Sequence, residues 1–77
     1  MIYYWNMDSP QARKELGLKL RKVREEKNLT QAQLAKKAHI NANYYACVER
    51  GEENVSSGKL SNIIEALGVK SSEISPY

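Results

Sequence analysis

The sequence predicts an all-α fold, in which four helices and a final helical turn enclose one small core. Apolar residues recur three and four positions apart along four segments, which is the spacing of a buried helix face. Each segment follows a serine, threonine or asparagine, and these residues cap helix N-termini. No alternation typical of a strand occurs beyond residue 8. Residues 9–77 are therefore expected to form one domain, with residues 1–8 as a short aromatic extension.

Size and composition exclude several functions. A chain of 77 residues has room for one core only. Its single cysteine, Cys47, cannot form an internal disulfide, and with the single His39 it falls short of the roughly four ligands of a structural zinc site. There is no paired nucleophile and base, and the scattered glycines are interpreted as helix stops rather than a phosphate-binding loop. We therefore expect no enzyme, no cofactor and no metal.

The sequence also predicts where the protein works. No apolar run approaches the roughly 20 residues that a helix needs to cross a bilayer. The apolar N-terminus is too short for the core of a signal peptide and has no basic residues before it. A single reduced thiol suits the cytoplasm. A cytoplasmic protein without membrane contact is the expectation.

Charge is distributed unevenly along the chain. The net charge is +3, but residues 1–40 carry nine basic and four acidic side chains, whereas residues 41–77 carry three basic and five acidic ones. A basic first half favours a polyanionic partner such as nucleic acid. An ordinary solvated helix face explains the same charges equally well, so charge alone does not decide.

The first helix is expected to begin at Ser9 as its N-cap. Pro10 then occupies the first helical position, where the missing N–H removes no hydrogen bond. Asn28 should end the helix in a left-handed conformation, which asparagine tolerates better than most residues. Leu18 lies off the apolar stripe. The stripe itself contains Ala12, Leu16, Leu20 and Val23.

The second helix should follow Thr30 as its N-cap, and a tight turn should follow the helix. Ile40 is expected to point inward from this turn. His39 stands where such turns usually have glycine, so we expect a left-handed conformation there at some cost in strain. The inner face of the helix contains Leu34, Ala35 and Ala38.

The third helix should begin after Asn41 and end at Gly51. Tyr45 and Val48 lie three residues apart and are expected to face the core. Ser56 should cap the fourth helix and Gly68 should end it. A last turn near Ser71 or Ser72 should carry Ile74 inward. The inner residues of the fourth helix are expected to be Leu60, Ile63, Ile64 and Leu67.

Three stretches carry a family resemblance. They read LRKVREEKNLTQAQLAKKA, INANYYACVERG and NVSSGKLSNIIEALGV, and together they cover about residues 16–74. They resemble the Cro/phage-repressor type (XRE-like) of helix-turn-helix transcription regulator. The run from Glu49 to Ser56 further resembles controller proteins of restriction–modification systems. The agreement involves three separate parts, namely Arg24, then Thr30-Gln31 with Leu34-Ala35, and then Glu49-Arg50-Gly51.

This resemblance implies a fold and a function. The fold would be a compact, lambda-repressor-like bundle of five helices. The function would be sequence-specific regulation of transcription by a homodimer on a palindromic operator, and the resemblance leaves open whether this protein is a repressor or an activator. The second helix of the motif, about residues 41–50, would lie in the major groove. In relatives, residues matching Arg24 and Glu49 form an inner ion pair, and we expect the same pair to join the first and third helices.

The helical period also predicts which residues face the DNA. If Tyr45 and Val48 point inward, the residues between them point outward. Asn43 is the best reader, because its amide can pair bidentately with adenine. No arginine or lysine lies on this face, so guanine readout by the helix is not expected. A simpler interpretation is that the small outward residues only allow close approach. The candidate base-contacting residues are Ala42, Asn43, Ala46 and Cys47.

Contacts to the DNA backbone are expected around this face. Gln31 begins the second helix, where free N–H groups suit a phosphate oxygen, and in relatives the matching glutamine also braces the reading helix. Tyr44 either contacts phosphate or packs partly buried, and both can hold. Glu52 and Glu53 should weaken attraction to the backbone. The full set of candidate backbone contacts is Gln31, Thr30, Tyr44, Lys36, Arg50, Asn54, Ser56 and Lys59.

An alternative function is a protein-interaction module, such as an antitoxin that represses its own promoter. The aromatic extension of residues 1–8 would then bind a toxin-like partner. Otherwise this extension packs near Leu18, pairs across a dimer, or is a loose tail. The acidic pair Glu52 and Glu53 offers a contact for RNA polymerase. The operator, the regulated genes and any effector are not readable from the sequence.

Overall fold

The computed structural model describes residues 9–70 and residue 74, and within them all regular structure is α-helical. The predicted last turn near Ser71 or Ser72 and the extension of residues 1–8 lie outside these residues. Ile74 is fully buried, as the sequence predicted. None of the helices in the described part is long and apolar enough to span a membrane. The four helices are α1 (Pro10–Glu26), α2 (Gln31–Lys37), α3 (Ala42–Glu49) and α4 (Ser57–Leu67).

All four predicted N-caps are confirmed. The Oγ of Ser9 accepts a hydrogen bond from the amide of Ala12, and Pro10 occupies the first turn of α1. Thr30 begins a capping box, in which the amide of Gln33 donates to the threonine hydroxyl and the amide of Thr30 donates to the Gln33 side chain. The remaining two helices, α3 and α4, are capped by Asn41 and Ser56. Short polar side chains thus satisfy one or two of the first N–H groups of each helix.

The first three helices end in the same hydrogen-bonded motif. At each end, one residue adopts a positive φ, and the next residue returns its amide to a carbonyl in the last turn, which is the Schellman pattern. In α3 the positive-φ residue is Gly51, at 77°. In α1 and α2 it is Asn28 and His39, both at 59°, so both predicted left-handed residues are confirmed. The chain therefore reverses sharply twice and delivers α3 beside α1 and α2.

The core forms where the four helices meet. Among the residues that are less than 2% exposed, Tyr45 is the largest. The predicted inner faces are confirmed, although Ala12, Val23, Ile40 and Leu60 are only half-buried. Helix α3 packs against α1 and α2, and α2 also packs against α4. The core consists of Leu16, Leu20, Leu34, Ala35, Ala38, Tyr45, Val48, Val55, Ile63, Ile64, Leu67 and Ile74.

Gly17 corrects the interpretation of all glycines as helix stops. It lies in the middle of α1, where glycine costs about 1 kcal/mol relative to alanine. A β-carbon at this position would clash with the carbonyl oxygen of Glu49 and would lie 2.8 Å from the carbonyl oxygen of Val48. Gly17 therefore allows the backbones of α1 and α3 to touch. Because residue 17 has no side chain, it sets how closely α3 packs against α1.

Candidate nucleic-acid interface

Helix α3 has one buried face and one exposed face. Tyr45 is 0% exposed and Val48 is 1% exposed. Ala42 and Asn43 are exposed, and Ala46 and Cys47 are half-buried. The predicted division of the helix into an inward and an outward side is thus confirmed. The outward side combines one polar side chain with small neighbours.

The N-terminal end of α3 presents Asn43 without any competing partner. The Oδ1 of Asn41 accepts hydrogen bonds from the amides of Asn43 and Tyr44, at 2.8 and 3.2 Å. These bonds satisfy the exposed backbone N–H groups of the first turn. The side-chain amide of Asn43 makes no hydrogen bond to any other residue in 9–70 or to Ile74. Its donor and acceptor are therefore both available to a ligand.

A buried ion pair fixes the opposite side of α3. Arg24 donates from Nε to Oε2 of Glu49 at 2.6 Å and from Nη2 to Oε1 at 3.2 Å. The Nη1 of Arg24 donates to the carbonyl oxygen of Leu29 at 2.7 Å. The Glu49 side chain is only 3% exposed. This bidentate pair joins α1 to α3 and to the loop before α2, so it sets the angle of α3.

The electrostatics of this cluster favour the charged pair. Burial alone would raise the pKa of the Glu49 carboxyl, but hydrogen bonds from Arg24 and Gln31 hold that pKa below its ordinary value, and the nearby Tyr45 hydroxyl acts in the same direction. The same hydrogen bond with Glu49 raises the pKa of Arg24. Burial, and then the nearby Glu49 carboxylate, raise the pKa of Tyr45. The Tyr45 hydroxyl has no well-formed hydrogen bond to the described residues, yet it lies close enough to this carboxylate to be affected by its charge.

Gln31 contributes to this cluster from the first turn of α2. Its Nε2 donates to Oε1 of Glu49 at 3.0 Å, and the residue is half-buried. In this arrangement the side chain braces α3 and its amide nitrogen is occupied. The bracing role that the family resemblance suggested is therefore present in the free protein. A phosphate contact from Gln31 would use its remaining amide hydrogen or its backbone N–H.

A second group of contacts ties α3 to the following loop and to α4. The half-buried ring of Tyr44 lies under the Nζ of Lys59, which is 4.4 Å from the ring centroid, a cation–π distance. Its hydroxyl donates to the carbonyl oxygen of Asn54 at 3.5 Å. From α1, Arg13 donates to the carbonyl oxygen of Gly51 at 3.3 Å and to Oδ1 of Asn54 at 3.4 Å. The ring of Tyr44 is thus packed, as one of the two sequence interpretations expected, and a phosphate contact from its exposed hydroxyl stays a prediction.

Arg50 corrects the expectation that no arginine or lysine lies on the outward face. The residue follows α3 as its C-cap, and its Nη2 donates to Sγ of Cys47 at 3.3 Å. Glu52 holds the same guanidinium through bonds of 3.1 Å to Nε and 3.1 Å to Nη2. The helical period does not predict this contact, because residue 50 lies at the end of the helix and is not assigned to either face. The acid that was expected to repel DNA instead orients an arginine.

The other candidate backbone contacts are exposed. Thr30 and Ser56 accept hydrogen bonds from backbone amides as N-caps, and each hydroxyl keeps a hydrogen to donate. Lys36 lies in the last turn of α2, at the opposite end from Thr30. The described part of the chain contains no cluster of three or more His, Cys, Asp or Glu side chains that could hold a metal. The described side chains around α3 offer hydrogen-bond donors, hydrogen-bond acceptors and charged groups.

Comparison with known proteins identifies a family and a sequence relative. Residues 20–74 match the family model described as Helix-turn-helix. The chain is 39% identical over 59 residues to the immunity repressor protein of Bacillus phage phi105, and the match covers 77% of this chain and 41% of the phage protein. The chain therefore spans about two fifths of the length of this curated relative.

Solved structures show the same fold. The restriction–modification controller protein C.AhdI from Aeromonas hydrophila is 31% identical with a TM-score of 0.82, over 84% of this chain and 98% of that one. The clp gene regulator ClgR from Corynebacterium glutamicum is 34% identical with a TM-score of 0.78, over 80% of this chain and 66% of that one. The controller protein C.Esp1396I is 29% identical with a TM-score of 0.73, over 75% of each chain. Since the family model matches more than half of the chain, the protein belongs to the helix-turn-helix family of DNA-binding transcription regulators.

Proposed function

We propose that this protein is a homodimer that reads a palindromic operator by placing α3 in the major groove. The observation that carries the proposal is the contrast at Asn43. Its amide is exposed and unpaired within the described chain, while the opposite side of the same helix is locked by Tyr45, Val48 and Glu49. A helix held rigidly with one free amide on its outer side is suited to base readout.

Asn43 is proposed to pair with adenine through its amide oxygen and nitrogen. This bidentate pair would contribute about 1–3 kcal/mol of discrimination against other bases. Ala42 and Ala46 would meet thymine methyl groups, and Cys47 would pack on the same surface. Asn43 comes early in α3, and in this motif it is the N-terminal residues of the reading helix that reach base edges.

Contacts with phosphate oxygens are proposed to position the helix. The hydroxyls of Thr30 and Ser56 cap neighbouring helices and can each donate outward. Tyr44 presents its hydroxyl beside Asn54. Such contacts fix register and orientation without reading sequence. The remaining proposed backbone contacts are Gln31, Lys36, Asn54 and Lys59.

Two copies would be needed to read a palindrome. Reading helices related by a two-fold axis would meet successive major grooves about 34 Å apart. A repressor of this kind would act in the cytoplasm, on its own chromosome or on a phage genome. An antitoxin-like role and a contact with RNA polymerase are secondary proposals. Pairing with Arg50 leaves Glu52 less available for a polymerase contact.

Selection from a random duplex pool tests the proposal. The protein should enrich an imperfect palindrome whose half-sites are one helical turn apart, and light scattering should show one dimer per duplex. Mobility shifts at two salt concentrations should show affinity falling steeply with salt, because phosphate contacts release counterions. Enrichment of no sequence, or of a single asymmetric half-site bound by a monomer, would contradict the proposal.

A further inference from the structure

We infer that Arg50 reads a guanine base in the major groove and that Glu52 is the residue that positions it. This inference rests on the proposed function, since it assigns a specificity residue to the same interface. It would add a guanine to the adenine proposed for Asn43. Half-sites would then contain an A·T pair and a G·C pair at a fixed separation, read by the two ends of one helix.

The helical register places Arg50 on the side of Asn43. The two residues are seven positions apart, and an α-helix completes two turns in 7.2 residues. Arg50 has φ of −81° and ψ of −5°, which keeps it close to the helical path although α3 ends at Glu49. Cys47 lies between them on the same side, and the guanidinium of Arg50 contacts its sulfur. Asn43, Cys47 and Arg50 therefore form one stripe along the outward side of α3.

Backbone geometry fixes Glu52 close to this stripe. The positive φ of Gly51 reverses the chain. The amide of Gly51 then donates to the carbonyl oxygen of Val48 at 3.1 Å, and the amide of Glu52 donates to the carbonyl oxygen of Cys47 at 2.9 Å. Arg13 holds the same turn from α1 by donating to the carbonyl oxygen of Gly51. The backbone that carries the Glu52 side chain is therefore held by α3 and by Arg13 of α1.

The ion pair leaves one edge of the guanidinium for a ligand. Glu52 accepts from Nε and from one hydrogen of Nη2 of Arg50, so the carboxylate occupies the lateral edge. The second hydrogen of Nη2 points to the thiol of Cys47, which is a weak acceptor. The hydrogens of Nη1 have no partner within residues 9–70 or at Ile74. The terminal edge, formed by Nη1 and Nη2, is thus oriented along the outward side of α3.

Guanine is the base that matches this edge. Its major-groove side offers two acceptors, O6 and N7, and a planar guanidinium can meet both at once. On binding, the guanidinium of Arg50 would replace its weak contact with the Cys47 thiol by hydrogen bonds to O6 and N7. This exchange favours binding to guanine. A phosphate contact is disfavoured by the same geometry, because the paired carboxylate offsets the positive charge that would attract phosphate. Fixed orientation with reduced net charge is suited to base readout rather than to backbone attraction.

Selection from a random duplex pool by matched variants tests this inference. Wild type should enrich a guanine in each half-site, with about 10- to 100-fold discrimination at that position. Arg50→Ala should lose this preference and keep the adenine preference, with an unchanged melting temperature because Arg50 is exposed. Glu52→Gln should weaken the guanine preference several-fold without lowering affinity for random DNA. Arg21→Ala is the control, since Arg21 is a similarly exposed arginine paired with Glu25 on α1.

A chemical substitution in the DNA identifies the contact directly. Replacing the selected guanine by 7-deazaguanine removes the N7 acceptor, so wild type should lose several-fold in affinity and Arg50→Ala should lose nothing. If Arg50→Ala instead weakens all duplexes equally and lowers the salt slope by about one, Arg50 contacts phosphate and the inference is wrong. It is also wrong if Arg50→Ala leaves the enriched sequence unchanged, or if Arg21→Ala alters it equally. Failure of wild type to enrich any sequence would instead reject the proposed function itself.

Discussion

The two sides of α3 use polar residues in opposite ways. On the inner side, Glu49 has every partner it needs within the chain, from Arg24 and Gln31. On the outer side, Asn43 has no partner in the described residues, and the thiol of Cys47 makes a weak contact with Arg50. A polar side chain whose partners lie inside the protein maintains the fold, and one whose partners are missing is available to a ligand.

This difference separates two kinds of mutational effect. Changes on the inner side should alter the free energy of unfolding and reduce DNA binding only as a consequence. Changes on the outer side should alter DNA affinity or specificity and leave unfolding unchanged. Loss of binding alone cannot distinguish them, so every variant needs a melting curve beside its binding curve.

Gly17→Ala should have the largest effect, although it adds a single methyl group. The new β-carbon would meet the backbone of Val48 and Glu49, so α1 and α3 would have to separate. We expect a loss of about 5 kcal/mol, because overpacking and loosening of the Arg24–Glu49 pair add together. Chemical denaturation measures this loss. The control is Gly58→Ala, where nothing lies within 4 Å and a gain of up to about 1 kcal/mol is expected. Equal stability of the two variants would show that the close approach is not rigid.

Glu49→Ala should cost about 3–5 kcal/mol, because it leaves the buried charge of Arg24 without its partner. Binding should fall with stability, and the melting temperature should report the loss. Glu49→Gln keeps the shape and part of the hydrogen bonding, so it should lose less. An unchanged melting temperature in Glu49→Ala would show that this residue does not stabilise the fold, unlike the other residues on the inner side of α3.

Acid should produce a weaker form of the same loss. The folded pKa of Glu49 lies below the ordinary value of 4.5, so its contribution to stability is complete above pH 4.5 and is lost as pH falls through the folded pKa. Urea midpoints measured across this range should fall with pH in wild type. The fall should be shallower in Glu49→Gln, which cannot titrate at this position. Parallel curves for the two proteins would mean that other carboxyl groups dominate acid unfolding.

Asn43→Ala should lower specific DNA affinity by about 1–3 kcal/mol and leave the melting temperature unchanged. The side chain is exposed and makes no hydrogen bond to the described residues, so its loss should not affect the fold. Mobility shifts on the selected operator, and on one with the adenine replaced, measure the effect. The matched control is Asn62→Ala, another exposed asparagine, located on α4, which should bind normally. Equal affinity of Asn43→Ala for both operators, with wild type discriminating, would support the assignment.

His39→Gly should have the smallest effect and the opposite sign. Glycine reaches the positive φ of this turn without the steric cost that histidine carries, but it also loses more chain entropy on folding. We expect a net gain of about 0.5 kcal/mol, seen as a small rise in melting temperature. Asn28→Gly is the comparison and should gain less, because asparagine tolerates this conformation better. A loss of stability in His39→Gly would indicate that the imidazole makes a contact that stabilises the turn.

Much of the scaffold was predictable because its signals are local. The caps at Ser9, Thr30, Asn41 and Ser56 depend on a side chain and a backbone amide two or three residues later. The inward and outward sides of α3 follow from the helical period. The left-handed turn at His39 follows from its place between two helical patterns.

The rest depends on contacts between residues distant in sequence. Gly17 looks like a weak helix former until Glu49, 32 residues later, is brought against it. Arg13 shows no distinguishing pattern, although it holds the turn after α3. The contact between Arg50 and Cys47 depends on how a long side chain folds back once Glu52 holds it. No periodicity encodes such choices of rotamer and partner.

The contact at Gly17 has a consequence for how this protein can change. It joins the backbones of α1 and α3, so it does not depend on which side chains occupy positions 42, 43, 46 and 47. Natural drift or an engineer could exchange those four residues and change the operator that the protein binds. The position of α3 against α1 would stay the same. Proteins with the same packing of α1 against α3 can thus recognise many different DNA sequences, provided that residue 17 stays without a side chain.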